Sequence, residues 1–595
     1  MKEYPQENKR LMEVKMKSKT VKKIVSLLMA VAMVSMTACG NQTETTDETK
    51  KENAVSSSVT EVSKEELPTI TLYPKDANLT SGMVVGYRAD YLAKKGFQME
   101  VWTHSNEKTN AILASGDLPD IMFVPKENLE VMIEEGMLLN LDEHLDKLPH
   151  LYTSEYAEGA IKNVRNNLSD GTGNLYGLPH WVGRNANSLG ISSPTDRMCL
   201  KLRWDVYEKI GAPVINDVWE LIDVMEQMVK AYPEQDGNTV YGTILSAGSD
   251  SKYWANMQAF FAWSGYKIDY LDNLLEADMI NETVSSILTK ESKYYEGLKW
   301  YNEVYRRGLL DPDSVSAERA TQMKKTEMGL AMVPTSNFLG PSPLFLEYLI
   351  PDTTIFFDSI NEEGNTTHLI AINAETEHLD ECLAYLDMCC DPDALLEFVN
   401  GPDGGGIWYS EGENIYLTDR VLDYVKKNGS TQGYVLDSGE EYANFNTPYM
   451  VYGGELTSYK DGDGNRRSFS IASFKEYQMI KMESDNFSNW QKTMGYDNWR
   501  ELLLDKNALV EYSSLSGLSN YMEVPDDQMK LLKESIRDIV INASWQMVYA
   551  ETEAEFENIW KQMVSDCEGL GAQKLIDWAT ANIENAIKLR DGELK

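Results

Sequence analysis

From Ile70 to Val124 the residue pattern runs strand, helix, strand, helix, strand, and this alternation limits the fold more than any other feature of the sequence. Ile70 to Pro74 (ITLYP) and Phe97 to Thr103 (FQMEVWT) carry the period-two spacing and aromatic or branched residues of strands. Tyr87 to Lys95 reads as a short helix between them, and Asn106 to Ala114 has helical spacing and stops at Ser115-Gly116. Gly116-Asp117-Leu118-Pro119-Asp120 is a turn that runs into the apolar strand Ile121 to Val124. Strands separated by helices form a largely parallel sheet with helices on its faces, so the first ordered region is an α/β lobe.

Downstream segments fall in an order that resembles the family 1 extracellular solute-binding proteins, the lipoprotein receptors of sugar ABC importers. ILASGDLPDI and Leu129 to Pro149 (LEVMIEEGMLLNLDEHLDKLP), read as an amphipathic helix with Gly136, Leu138 and Leu141 in the family's positions, resemble its first lobe. Gly173 to Trp181 (GNLYGLPHW) resembles its Gly-x-Tyr-Gly-x-Pro strand. Leu200 to Pro213 (LKLRWDVYEKIGAP) keeps Arg203, Asp205, Tyr207, Lys209 and Gly211 of its Arg-x-Asp segment. Asn216 to Pro233 reads as a helix with an Asn cap. Tyr294 to Ser314 ends in Gly308-Leu309-Leu310-Asp311-Pro312, a basic helix end, a glycine stop and a proline turn. His368 to Asp391 follows as a strand entering a helix, Gly401 to Trp408 is a glycine-rich turn, and Asp526 to Leu589 is helical.

The resemblance implies an α/β fold of the type II periplasmic-binding-protein kind, with two lobes joined by hinge crossovers and a helix-rich C-terminus. It divides the chain into lobe 1 at 67–179 plus 326–373 and lobe 2 at 180–325 plus 374–595. It also implies a receptor that is not an enzyme, with a carbohydrate ligand, an ABC permease as partner, a monomeric state and no cofactor. A surface glycoside-acting enzyme and a structural or adhesion lipoprotein are the rival classes. No GxSxG, HExxH or P-loop pattern is present.

Residues 1–38 read as a secretory signal, with Lys15, Lys17, Lys19, Lys22 and Lys23 ahead of the apolar stretch Ile24 to Cys39, too short to span a membrane. Met36-Thr37-Ala38-Cys39 resembles a lipobox, which implies lipidation of Cys39 and attachment to the outer face of the cell membrane. Residues 39–66 are rich in Thr, Ser and Glu and nearly free of large apolar side chains, a flexible tether.

A formal net charge of −39 argues against nucleic acid as a partner, because its phosphates would be repelled. After Cys39 the cysteines are Cys199, Cys382, Cys389, Cys390 and Cys567, an odd set without CxxC spacing, expected as buried thiols. Relatives with a calcium loop have oxygens at alternate positions. Here Asp236 and Asn238 are too few for an ion that takes ~6 to 8 oxygens, and Asp461 to Asn465 reads as a hairpin turn, so no metal is expected.

A sugar presents hydroxyls around its rim and apolar C–H faces, so its receptor needs aromatic platforms beside carboxylates, amides or arginine. Aromatics in loops are the candidates, since those in helical register belong to cores. Trp181 and Arg184 after the inter-lobe strand, Trp254 and Trp263 after Gly242, and Trp408 in the glycine turn are chosen on that basis, with Asp120 and Asn106 as polar groups of the first lobe. Trp204, Trp219, Trp300 and Trp560 are assigned to cores.

Overall fold

The computed structural model describes residues 67–75, 81–184, 199–247, 254–335, 342–428, 431, 433–442, 451–452 and 455–592. The expected signal segment, Cys39 and the tether lie outside the described residues.

In chain order the first lobe contains β1 (Thr69–Tyr73), β2 (Gly82–Met83), α1 (Gly86–Lys94), β3 (Gln98–Val101), α2 (Asn106–Ser115), β4 (Ile121–Pro125) and β5 (Leu178–His180). β6 (Gly183–Arg184) leads to β7 (Lys201–Arg203), α3 (Val218–Ala231), α4 (Lys293–Arg306) and β8 (Phe345–Glu347). The chain then returns through β9 (Ile360–Asn361) to β10 (Asn365–Ile372), α5 (Leu379–Cys389), α6 (Pro392–Asn400) and α7 (Lys475–Met482). It finishes with α8 (Asp485–Met494), α9 (Asp527–Val548), α10 (Glu553–Leu570) and α11 (Ala572–Arg590).

The first lobe is built on one six-stranded sheet in the order β2-β3-β1-β4-β10-β5. β1 pairs in parallel with β3 and β4, as the opening pattern requires, while β10 runs antiparallel between β4 and β5. Ile121 to Val124 are all buried, the signature of a central strand covered on both faces. α2 ends at Gly116, whose φ of 77° is a left-handed cap that glycine adopts without strain.

Two large apolar cores divide the body. One draws on Ile70 to Val182 and again on Leu369 to Ile480; the other draws on Cys199 to Ile355 and Phe487 to Leu575. The lobe boundaries therefore differ from those read from the sequence. Leu330 to Val333 and Phe345 to Ile355 stay in the second lobe, where Phe345–Glu347 pair antiparallel with Lys201–Arg203. The described residues between Cys382 and Ile480 belong to the first lobe, where α6 packs on α1 and Leu395, Leu396 and Val399 enter the sheet's core.

The long helix expected over Leu129 to Pro149 is broken. A helix covers only Leu129–Glu134, Gly136 turns the chain with φ of 69°, and Leu138 bridges to Asn373 before a 3-10 segment at Leu141–Lys147. The cap of α3 is Asp217, which accepts from the Trp219 and Glu220 amides, while the neighbouring Asn216 bonds to the Glu220 side chain. All five described cysteines are buried and outside any disulfide, and burial pushes the thiols of Cys382, Cys389 and Cys567 up to about 12.

Three crossovers join the lobes. β6 and β9 form a two-residue antiparallel ribbon, Gly183 opposite Asn361 and Arg184 opposite Ile360. The third runs from Ile480, in the first core, to Phe487, in the second, with Ser484 capping α8. Beside them a non-covalent latch bridges the lobes. The Lys126 ammonium donates to the carbonyls of Ser519, Asn520 and Met522 at 3.0, 3.2 and 2.9 Å. Asn520 Nδ2 donates to Gly364 O at 3.1 Å, Thr366 donates to Asn520 Oδ1, and the Tyr521 hydroxyl donates to Glu363. Leu518 of the same segment packs with Ala579 and Ile583 of α11.

Candidate functional site

β1, β3 and β4 are parallel, and β5 is antiparallel to β10, itself antiparallel to β4, so all four end at one edge of the sheet. β5 leaves this edge into β6, β9 returns to it, and the latch touches it at Lys126. In open α/β sheets, ligands bind in the crevice outside the carboxyl ends of the strands. Here that crevice coincides with the side from which the second lobe is hung.

The strand ends bring specific side chains to the edge. After β1 comes Lys75, whose ammonium lies 3.2 Å from His180 Nε2 at the end of β5. After β3 come Trp102 and His104; the Lys108 ammonium sits 4.6 Å from the Trp102 ring centre, and the His104 ring is 5.5 Å from Tyr73. Ser105 caps α2 by accepting from the Lys108 amide at 3.1 Å, and the Tyr73 hydroxyl donates to Ser105 O at 2.9 Å, so this loop is fixed to the sheet.

Trp181 is the most unusual residue at the edge. Its φ is 63° and its side chain is 51% exposed, although its neighbours His180 and Val182 are fully buried. The left-handed region costs a non-glycine residue ~1–2 kcal/mol, and a bulky aromatic there is rare. The Val182 amide donates to Val451 O at 2.8 Å and holds the bend from one side, while His180 anchors it from the other. Such strain persists where the surroundings over-determine it, commonly at binding sites. Arg184, three residues on, extends its guanidinium to 3.6 Å from Glu455. Between them Gly183 is required: its φ is 97°, and a Cβ there would lie 2.9 Å from the Tyr156 ring.

The second lobe repeats the arrangement in less regular form. Tyr241 bridges in parallel to Ala331, and Thr243 to Leu310. Beyond these stretches Ser246 and Asn256 exchange backbone and amide bonds at 3.0 and 2.9 Å, and Gln322 and Thr335 both donate to Ile244 O at 2.8 Å.

Three of the tryptophans chosen from sequence are core residues. Trp254 is 0% exposed and meets Tyr301 and Trp545 edge-on, each at 5.4 Å. Trp263 is buried against Phe260 and Trp300. Trp408 is buried in the first core and donates its indole N–H to Gly401 O at 2.9 Å, so it stabilises the glycine turn and offers no face to a ligand. Trp219, assigned to a core, is 40% exposed at the start of α3.

Asp120 is at the opposite, amino edge of β4. Its carboxylate accepts from the Thr71 amide and hydroxyl, both at 2.7 Å, and from the Thr376 hydroxyl at 2.6 Å, which staples β1, β4 and the turn before α5 together. Asn106 opens α2, and its side chain lies outside the described part of the structure. Of the residues chosen from sequence, Trp181 and Arg184 are the two that follow the end of β5 at this edge. Lys75, Trp102, His104, Lys126 and His180, at the same edge, were not chosen from sequence, although each ends a strand or lies within three residues of its end.

In the loops weighed for calcium, Asp236 Oδ2 accepts from Gln235 Nε2 at 3.0 Å and Asn238 Nδ2 donates to the Asp236 carbonyl at 3.3 Å. Asp461 accepts from the amides of Asp463 and Asn465 at 3.0 and 2.8 Å and from Arg467 Nε at 2.8 Å.

No protein-family model matches the sequence, and no curated protein matches it. Solved structures do. An HMO-binding, ABC-transporter-associated solute-binding protein from Bifidobacterium longum infantis superposes with a TM-score of 0.54 at 13% identity, over 88% of this chain and 99% of that one. The chain has the two-lobed fold of the ABC-transporter solute-binding proteins. The Streptococcus pneumoniae substrate-binding protein FusA, solved in complex with kestose, gives a TM-score of 0.54 at 16% identity, over 88% of this chain and 100% of that one. The alginate-binding protein AlgQ2 gives 0.54 at 12% identity, over 87% and 98%. At these identities the likeness is one of fold, and it matches the fold expected from the sequence. Among the described residues no helix is long and apolar enough to cross a membrane.

Proposed function

We propose that this protein is the extracellular receptor of an ABC importer, not an enzyme, that it closes its two lobes on a carbohydrate of oligosaccharide size, and that it hands the ligand to a permease. The observation that carries this reading is Trp181, an exposed indole held in a left-handed bend beside Arg184, at the strand edge from which both paired crossovers leave. An exposed aromatic face with a guanidinium three residues on in the chain suits a sugar's C–H face and hydroxyls. Neighbours in fold, one bound to kestose and others described as binding HMO or alginate, support the ligand class. Closure is favoured because a ligand that touches both lobes binds the closed state more tightly and shifts the population toward it. The lipobox at Cys39 supports tethering to the outer face of the membrane, with the receptor acting as a monomer.

The test is calorimetric titration of the purified body with oligosaccharides, with product analysis of the same mixtures. Saturable binding without fragments supports a receptor; fragments would make it a glycoside-acting enzyme, and neither result would favour an envelope protein. A Trp181→Ala variant that binds as well as the parent would remove the platform from the account.

A further inference from the structure

Asn302, on α4, is only 4% exposed, and its Nδ2 donates to the carbonyls of Val548 and Ala550 at 3.1 and 2.8 Å. Both amide hydrogens are thereby used, which fixes the orientation of the group and leaves Oδ1 as an acceptor without a partner among the described residues. Buried acceptors are nearly always satisfied, so one that is not points to a missing group. With Ile222 and Phe556, also buried, Asn302 forms the floor of a groove of about 430 Å³ between α3, α4 and the start of α10. Ligand sites run to ~300–1,000 Å³, so the groove is large enough to be one.

Its walls carry the rest of the argument. Trp219, 40% exposed, lines the groove from the first turn of α3, where its amide donates to the Asp217 carboxylate at 2.8 Å. Glu303 and Arg306 line it from α4, and their charged ends stand 3.8 Å apart, an ion pair too long for a hydrogen bond. The other charges are engaged: Lys299 donates to Glu553 at 3.1 Å, Arg307 to Asp223 at 2.7 Å and to Glu226, and Glu220 accepts from the Asn216 amide at 2.9 Å. The spare groups are thus an indole face, one carboxylate, one guanidinium and one amide oxygen, with no net charge among them. An apolar helix laid here would cover Asn302 Oδ1 without satisfying it, and an ion of either sign would have to displace half of the Glu303–Arg306 pair. Hydroxyls both donate and accept, so neighbouring hydroxyls of one sugar ring can serve all three polar groups while the ring's C–H face lies on the indole.

We propose that this groove is a second carbohydrate site, separate from the crevice, that takes the end of an uncharged glycan on Trp219 with Glu303, Arg306 and Asn302 Oδ1 as hydroxyl partners. All of its residues come from helices of the second lobe, so it binds whether or not the lobes close, and it does not depend on the reading of the crevice.

The experiment labels the full mature chain with fluorotryptophan, assigns the Trp219 and Trp181 resonances with Trp219→Phe and Trp181→Phe, and titrates neutral gluco-, galacto- and fructo-oligosaccharides. Concentrations reach ~10 mM, enough to fill a site whose Kd is ~1 mM. The expected result is a saturable shift of the Trp219 resonance with at least one of these sugars, alike in the parent and in Trp181→Ala, and little changed by salt. Glu303→Ala, at an exposed position, weakens that response roughly tenfold, and Arg306→Met is the second variant should the first fail to fold. A Trp219 resonance that no sugar moves overturns the proposal. So does a shift that vanishes in Trp181→Ala, which would make it an echo of the crevice, or one that follows protein concentration without sugar, which would make the groove a contact between copies. The Trp181 resonance reports the crevice in the same spectra, so failure of the groove leaves the receptor reading as it stands.

Discussion

Replacing Lys126 by methionine keeps the length of the side chain and removes the ammonium that bridges the lobes. Two of its three bonds, to the carbonyls of Asn520 and Met522, are half-buried, and the third, to Ser519, is exposed to water. A hydrogen bond to a charged group contributes ~1.5–3 kcal/mol net, so the half-buried pair at the lower figure gives ~3 kcal/mol and the exposed bond little. Burial opposes this by pushing the Lys126 pKa down to about 8, while the three carbonyl oxygens favour the charged form. At pH 7 the amine is protonated, and with its desolvation set against the bonds the net is ~2 kcal/mol, roughly a 30-fold rise in opening of the latch. Amide hydrogen exchange is the assay, because a local opening is read segment by segment where a whole-protein melt of two lobes is not two-state. Amides of 515–522 should exchange about 30-fold faster in Lys126→Met, while those of β1 and β4 stay unchanged. Equal exchange in 515–522 for variant and parent would refute the latch.

Trp181→Gly should relieve the left-handed strain and raise stability to thermal unfolding by ~1 kcal/mol while weakening glycan binding; a variant that is less stable would show that the bend is not strained. Gly183→Ala must move the Tyr156 ring, 2.9 Å from the added carbon, and is expected to cost ~1–3 kcal/mol in a denaturant melt, an effect that Tyr156→Ala in the same chain should largely cancel. Asp142 accepts from Arg165 at 2.8 Å and from the Leu175 amide at 3.0 Å, and hydrogen bonding to Arg165 holds its carboxyl below the usual range. Its contribution is therefore present above the ordinary carboxylate value and is lost as pH falls through the lower folded one. The unfolding curves of parent and Asp142→Asn should differ at neutral pH and converge in acid; a gap that widens in acid would contradict the assignment.

Local pattern was legible where local physics decides the outcome. The five segments from Ile70 to Val124, the stop at Gly116 and the Gly308 turn follow from period and backbone preference, and the odd set of cysteines foretold free buried thiols. What the sequence hid were partners distant along the chain. Nothing in Phe345–Glu347 announces that it pairs with Lys201–Arg203, and that pairing moves a lobe boundary. Leu129 to Pro149 has the apolar content of one helix, yet Leu138 bridges to Asn373 instead of continuing the helix, and Gly136 permits the break. Tryptophans in loops look alike until burial is known: Trp408 closes a turn from inside, and Trp181 is turned out by a backbone that its buried neighbours hold. The Lys75–His180 contact was hidden for the same reason, since the two meet only once β1, β4, β10 and β5 are assembled into one sheet.

Small-angle scattering of the mature chain, with and without a saturating glycan identified by calorimetry, tests hinge closure most directly. The account predicts that the radius of gyration falls on binding and that the fall disappears in Trp181→Ala at the same glycan concentration. A glycan that binds stoichiometrically while the scattering curve stays unchanged would contradict it.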